Sequence, residues 1–136
     1  MRRVTARKLK NRLRKTSGKI TMLIVEDDQD LRESLAAALR DEGYNVLSAQ
    51  DADEAIASVK AHKVNIVFMD ICLPDRNGVE AYKAINKIQP TAKTVMMTGF
   101  FVQDLVNAAI SAGACDILYK PFSMDDILNM IKKISG

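Results

Sequence analysis

Five short runs of apolar, β-prone residues recur along the chain, and a stretch with helical spacing follows each one. The third run, Asn65-Ile66-Val67-Phe68-Met69-Asp70, constrains the fold most. Four apolar residues run without a break and stop at a carboxylate. A run of this kind reads as a strand buried on both faces. Asp70 then lies where the strand leaves the core, and Pro74 and Gly78 keep the next residues in a loop. In open α/β sheets ligands bind outside the carboxyl ends of the strands, so an acid placed there is a candidate for chemistry. The structural alternative is a helix cap or a turn aspartate.

The other runs complete an alternating pattern. Ile20–Val25 reads as a first buried strand ending in Glu26-Asp27-Asp28. A helix follows, capped by Asp28 or Asp30, with Leu31, Leu35, Ala38 and Leu39 on one face and Gly43 as its stop. Tyr44–Ala49 is a second strand. Asp51 or Asp53 opens a short helix through Ala55, Ile56 and Val59. After Asp70 comes a loop closed by the turn signal Asn77-Gly78. The helix beyond it, with Val79, Tyr82, Ile85 and Ile88 inward, runs to Pro90. Lys93–Thr98 is a fourth strand. The helix from about Val102 to Ala112 carries Leu105, Val106 and Ala109 as its stripe and ends at Gly113. Asp116–Tyr119 is a fifth strand, ending at Lys120-Pro121. Ser123 caps a last helix with Met124, Ile127, Leu128, Ile131 and Ile134 inward. Five β-α units in succession predict an α/β fold with a parallel sheet and helices on both faces. Right-handed crossovers send all five strand ends to one edge.

Length and charge narrow the class. A chain of 136 residues, 48% hydrophobic, is one domain with a real core. No apolar run approaches the ~20 residues that span a bilayer. The N-terminus lacks the apolar segment of a signal peptide, so a cytoplasmic protein is expected. Cys72 and Cys115 have no partner pattern and are expected as free thiols. With one His and two Cys, an ordinary zinc site is excluded. Residues 1–19 hold nine Lys or Arg and no acid, whereas the remaining residues carry a net −6. The expected division is a basic arm over 1–19, flexible or a linker or tag remnant, and a domain over 20–136. Such an arm is a candidate contact for nucleic acid. Little follows the fifth helix, so no second domain is expected behind it.

Polar residues of the right types end four of the strands: Glu26 and Asp27 after the first, Asp70 after the third, Thr98 at the fourth, Lys120 after the fifth. Bringing three carboxylates together is unfavourable unless a cation joins them. Mg²⁺ suits best, taking few protein carboxylates and keeping waters for a phosphate, and Mn²⁺ is an alternative. Lys120 adds a point charge for an anion. The set predicts phosphoryl transfer, with Asp70 as nucleophile and Lys120 and Thr98 on the phosphoryl oxygens.

The motifs Ile24-Val25-Glu26-Asp27-Asp28, Met69-Asp70-Ile71-Cys72-Leu73-Pro74, Asn77-Gly78, Met97-Thr98-Gly99, Gly113-Ala114 and Tyr119-Lys120-Pro121-Phe122 together resemble the receiver domain of two-component response regulators, the CheY-like family. The resemblance covers roughly Thr21 to Ile134. It implies a flavodoxin-like doubly wound sheet of strand order 2-1-3-4-5. It implies that Asp70 is the phosphoacceptor, that Asp27 binds Mg²⁺ directly with Glu26 helping, and that Cys72 lends its main-chain carbonyl to the metal. Thr98 and Lys120 would bind the phosphoryl group, and the Lys120-Pro121 bond would be cis. Asp28 is either a third acid of the metal site or a helix cap. A histidine kinase or a relay histidine protein would supply the phosphoryl group, the domain catalysing its own phosphorylation and dephosphorylation. A downstream protein, or a second copy of the chain, would read the result on the face built from the fourth helix, fifth strand and fifth helix.

The chain departs from the family pattern in places. Many receivers carry Tyr or Phe three residues before the lysine, where this chain has Ile117, and Tyr119 is expected on the opposite face of the strand. Gly99 follows the threonine where Ala is frequent. Phe100 is expected to shield the phosphorylated aspartate from water. Rival readings are a nucleic-acid-binding regulator using residues 1–19, a relay or phosphate-sink receiver of a hybrid kinase, and a Mg²⁺ hydrolase. The last is disfavoured, because Cys72 stands where such relatives place a second acid.

Overall fold

The computed structural model describes residues 20–99 and 102–135. The basic arm and the Phe100-Phe101 pair lie outside the described residues. Five strands alternate with five helices among those described: β1 (Thr21–Val25), α1 (Gln29–Asp41), β2 (Asn45–Ala49), α2 (Ala52–Ala61), β3 (Ile66–Asp70), α3 (Gly78–Ile88), β4 (Lys93–Thr98), α4 (Gln103–Ala112), β5 (Asp116–Tyr119) and α5 (Met124–Ser135). All neighbouring strands pair in parallel. The sheet order is β2-β1-β3-β4-β5, the flavodoxin-like topology.

Each strand alternates between two cores because side chains on a strand point to opposite faces in turn. Met22, Ile24, Ile66, Phe68, Val95, Met97 and Leu118 meet Leu35 and Leu39 of α1 and Ile127 and Ile131 of α5. Leu23, Val25, Val67, Met69 and Met96 meet α2, α3 and α4 through residues such as Val59, Ile85 and Val106. β3 is buried at every position, as its unbroken apolar run requires.

Local signals end the helices where they should. Asp28 Oδ1 accepts from Leu31 N at 3.2 Å, so Asp28 rather than Asp30 caps α1. Asp51 Oδ1 accepts from Glu54 N at 2.8 Å and caps α2. Ser123 and Asp126 form a reciprocal box at the start of α5, at 2.9 and 3.1 Å. Gly43 and Gly113 take positive φ after α1 and α4, where a side chain would be strained.

Four expectations need correction. β1 starts at Thr21 and Ile20 flanks it, although the Ile20 carbonyl still accepts from Asn45 N at 3.0 Å. β2 starts at Asn45, because the Tyr44 amide instead closes the end of α1 on Leu39 O. Ile88, expected inward, is exposed. At that end of α3 it is Gln89 that faces α2, donating to Val59 O and His62 O at 2.6 Å each. Tyr119 shares a face with Ile117, since residues two apart on a strand do so. Ile117 packs on the α2–α4 side, Leu118 on the other, and Tyr119 is 53% exposed.

Candidate functional site

Strand register brings the polar residues into one place. Val25 pairs with Met69, so Glu26 and Asp70 leave neighbouring strands at the same level. Asp70 pairs with Met97 and Thr98 with Tyr119, which continues the row to Lys120. The two-residue period then sorts the side chains. Glu26 follows Met22 and Ile24, Asp70 follows Ile66 and Phe68, and Lys120 follows Leu118, all in the layer that faces α1 and α5.

The result is a compact ionic cluster. Lys120 Nζ donates to Glu26 Oε1 at 2.5 Å and to Asp70 Oδ2 at 2.6 Å. The other Asp70 oxygen accepts from Cys72 N at 2.8 Å. Glu26 is 1% exposed and Asp70 7%, while Asp27 is open to solvent. Thr98 is buried at the end of β4, and its carbonyl accepts from Lys120 N at 2.7 Å. The Lys120-Pro121 bond is cis. A groove of about 420 Å³ beside Lys120 is lined by Leu31, Gly99, Pro121 and Phe122.

Burial sets the electrostatics. Desolvation raises the Glu26 pKa, and hydrogen bonds from Lys120 and from Asp28 N only partly offset it. Desolvation alone would lower Lys120, but its hydrogen bonds to Asp70 and Glu26 and their charges outweigh that, so its pKa is raised and the ammonium stays charged. Glu26, Asp27 and Asp70 each present a carboxylate oxygen within 4.8 Å of the others. Three hard oxygen donors at one sheet edge fit a small divalent cation such as Mg²⁺ and offer no soft ligand. Asp28 is occupied as the α1 cap and also donates its N–H to Glu26 Oε2 at 3.1 Å.

Two groups were not singled out by the sequence reading. Arg32 Nη1 donates to the Glu26 carbonyl at 2.7 Å, anchoring the backbone that carries the two acids. Asp75 reaches from the loop after β3 to the start of α2, accepting from Ala52 N at 3.0 Å and Asp53 N at 3.1 Å. A sequence signal for Arg32 was its place one turn into α1, level with the strand end. Asp75 gives no such signal, because its partners are 22 and 23 residues away.

Among the described residues no helix is long and apolar enough to cross a membrane. Cys72 and Cys115 are both exposed free thiols. The response regulator receiver domain model matches residues 22–132. The transcriptional regulatory protein PdtaR of Mycobacterium tuberculosis is 39% identical over 112 residues, 82% of this chain and 54% of that protein, so the chain spans about half of PdtaR's length. The chemotaxis protein CheY of Thermotoga maritima is 37% identical over 115 residues, 84% of this chain and 96% of CheY. A CheY-like response regulator receiver domain protein from Methanospirillum hungatei superposes with a TM-score of 0.83 at 32% identity, covering 86% of this chain and 94% of that one. With that match over most of its length, on the same sheet order, the chain belongs to the receiver domains of two-component response regulators.

Proposed function

We propose that Asp70 accepts a phosphoryl group from a histidine kinase, or from a relay histidine protein, and that phosphorylation switches binding to a downstream protein. One observation carries the reading: three carboxylates from two strand ends converge with a single ammonium from a third. Repulsion among the acids and the Lys120 charge together prepare a place for a cation and an anion side by side. Glu26, Asp27, Asp70 and the Cys72 main-chain carbonyl would hold Mg²⁺. When bound there, the ion supplies positive charge to neutralise phosphoryl oxygens.

The chain's own groups do the rest. An Asp70 carboxylate oxygen forms the new O–P bond. The P–N bond to the partner's phosphohistidine breaks, and its electron pair returns to the imidazole nitrogen. Lys120 Nζ already lies 2.6 Å from Asp70 Oδ2, within reach of oxygens on a phosphoryl group attached there. Thr98 supplies a hydroxyl from the end of β4. The β4–β5 edge then carries the change outward to α4, β5 and α5, where Ile110 and Tyr119 are exposed apolar side chains. A second copy of this chain or another protein could read that face.

The test is incubation with a small acyl phosphate donor, with and without Mg²⁺, followed by intact mass. The expected result is a single phosphate adduct on the parent, dependent on Mg²⁺ and absent from Asp70→Asn. An adduct of equal yield on Asp70→Asn would overturn the assignment.

A further inference from the structure

The loop after β3 is a small hairpin whose base and tip are both held. At the base, Cys72 and Asn77 form an antiparallel bridge, and Cys72 N donates to Asp70 Oδ1 at 2.8 Å. Gly78 N donates to Ile71 O at 2.5 Å. At the tip, Asp75 spreads its two oxygens over the Ala52 and Asp53 amides, the first two of α2. Arg76 next to it pairs with the Asp53 carboxylate at 2.5 Å. These amides are donors that a helix cannot satisfy internally. The helix already has its own cap in Asp51, which takes the Glu54 amide at 2.8 Å. Asp75 therefore does something Asp51 does not: it ties a helix on one side of the site to the loop that follows the reactive acid.

We infer that Asp75 is a positioning residue: by latching the hairpin tip to α2, it holds the Cys72 peptide against Asp70. That peptide donates its N–H to Asp70, and the proposed function gives its neighbouring carbonyl a role in holding Mg²⁺, so the metal part of the inference rests on that reading. Groups that orient a metal ligand without touching the metal commonly change affinity by 10-fold or more when removed. Arg76 reinforces the latch, and its side chain is exposed enough that it adds little alone.

Asp51 provides the control. Asp51→Ala and Asp75→Ala each remove a cap from the same helix, and each should lower Tm by about 3–5 °C. Only Asp75→Ala releases the loop. Amide hydrogen exchange, read by NMR without metal, should show the Cys72 amide exchanging about 10-fold faster in Asp75→Ala and unchanged in Asp51→Ala. Calorimetric titration with MgCl₂ should show a Kd about 10-fold higher in Asp75→Ala alone. Asp75→Asn, which keeps one acceptor, should give a smaller change in both and guards against loss of the fold. Equal Cys72 exchange in the parent and Asp75→Ala, or an equal rise in Asp51→Ala, overturns the inference. A parent that takes up no Mg²⁺ defeats the metal-dependent function, and the exchange measurement still decides the latch.

Discussion

Replacing Gly78 by alanine sets two effects of opposite sign against each other. Gly78 is the first residue of α3, and φ there is not in the left-handed region. Intrinsic helix propensity and a less flexible unfolded chain both favour alanine, together by about 1 kcal/mol. The surroundings oppose it. A Cβ at Gly78 would lie 2.5 Å from the Asp70 carbonyl oxygen, 2.7 Å from Ile71 Cα and 2.9 Å from Met96 Cε. The methionine end can move, whereas the two backbone atoms belong to a buried strand and its exit. Carbon contacts settle near ~3.5–4.0 Å, so the overlap approaches ~1 Å. Overpacking of this kind costs about 1–3 kcal/mol, and with rigid neighbours the upper end applies. The net loss is therefore about 2 kcal/mol. With a urea m-value of about 2 kcal/mol/M, the midpoint should fall by about 1 M at unchanged m. The displaced atom is the Asp70 carbonyl, so Mg²⁺ uptake should weaken in the same variant. An unchanged or higher urea midpoint would refute the reasoning, since it would mean that the β3 exit yields freely.

Three further outcomes follow from the same geometry. Lys120→Met leaves the Glu26 and Asp70 carboxylates without their shared cation, and phosphorylation by an acyl phosphate should slow about 100-fold in a time course of intact mass. Arg32→Ala frees the Glu26 carbonyl and should raise the Mg²⁺ Kd about 10-fold by calorimetry, with Arg32→Lys recovering part of the loss. The hydrogen bond from Lys133, helped by the Ile117 amide, holds the Asp116 pKa below its ordinary value against partial burial. Its contribution is full above the ordinary aspartate range and is lost as pH falls through the lowered folded value. Asp116→Asn should thus be slightly less stable than the parent at about pH 7, by less than about 1 kcal/mol because Lys133 is 69% exposed. Urea titrations should show the gap closing as the pH falls below the ordinary aspartate range.

What the sequence discloses divides by range. Strands and helices were legible because a buried parallel strand is a short apolar run and a covering helix repeats every three to four residues. Caps such as Asp28, Asp51 and Ser123 were legible to within one candidate, since their partners lie three residues on. Polar strand ends were legible as a set because a parallel sheet with right-handed crossovers gathers them at one edge. Side-chain links between distant segments were not. Asn65 Oδ1 accepts from Thr21 N across 44 positions, and Gln89 ties α2, its exit and α3 through one amide. Asp75 belongs with them. No local spacing encodes such pairs. Ile88 was misread for a related reason: helical periodicity continues to the last turn, whereas the surface it would cover does not.

The central claim is that a divalent ion is held between the ends of β1 and β3, beside Asp70. Paramagnetic broadening by Mn²⁺ in an amide NMR spectrum tests it most directly. Substoichiometric Mn²⁺ should broaden the amides of Asp27, Asp28, Ile71 and Cys72 first and leave Lys63 and Asn45, at the opposite ends of the strands, sharp. Excess Mg²⁺ should restore the lost signals. Broadening centred anywhere else, or none that Mg²⁺ reverses, would contradict the account.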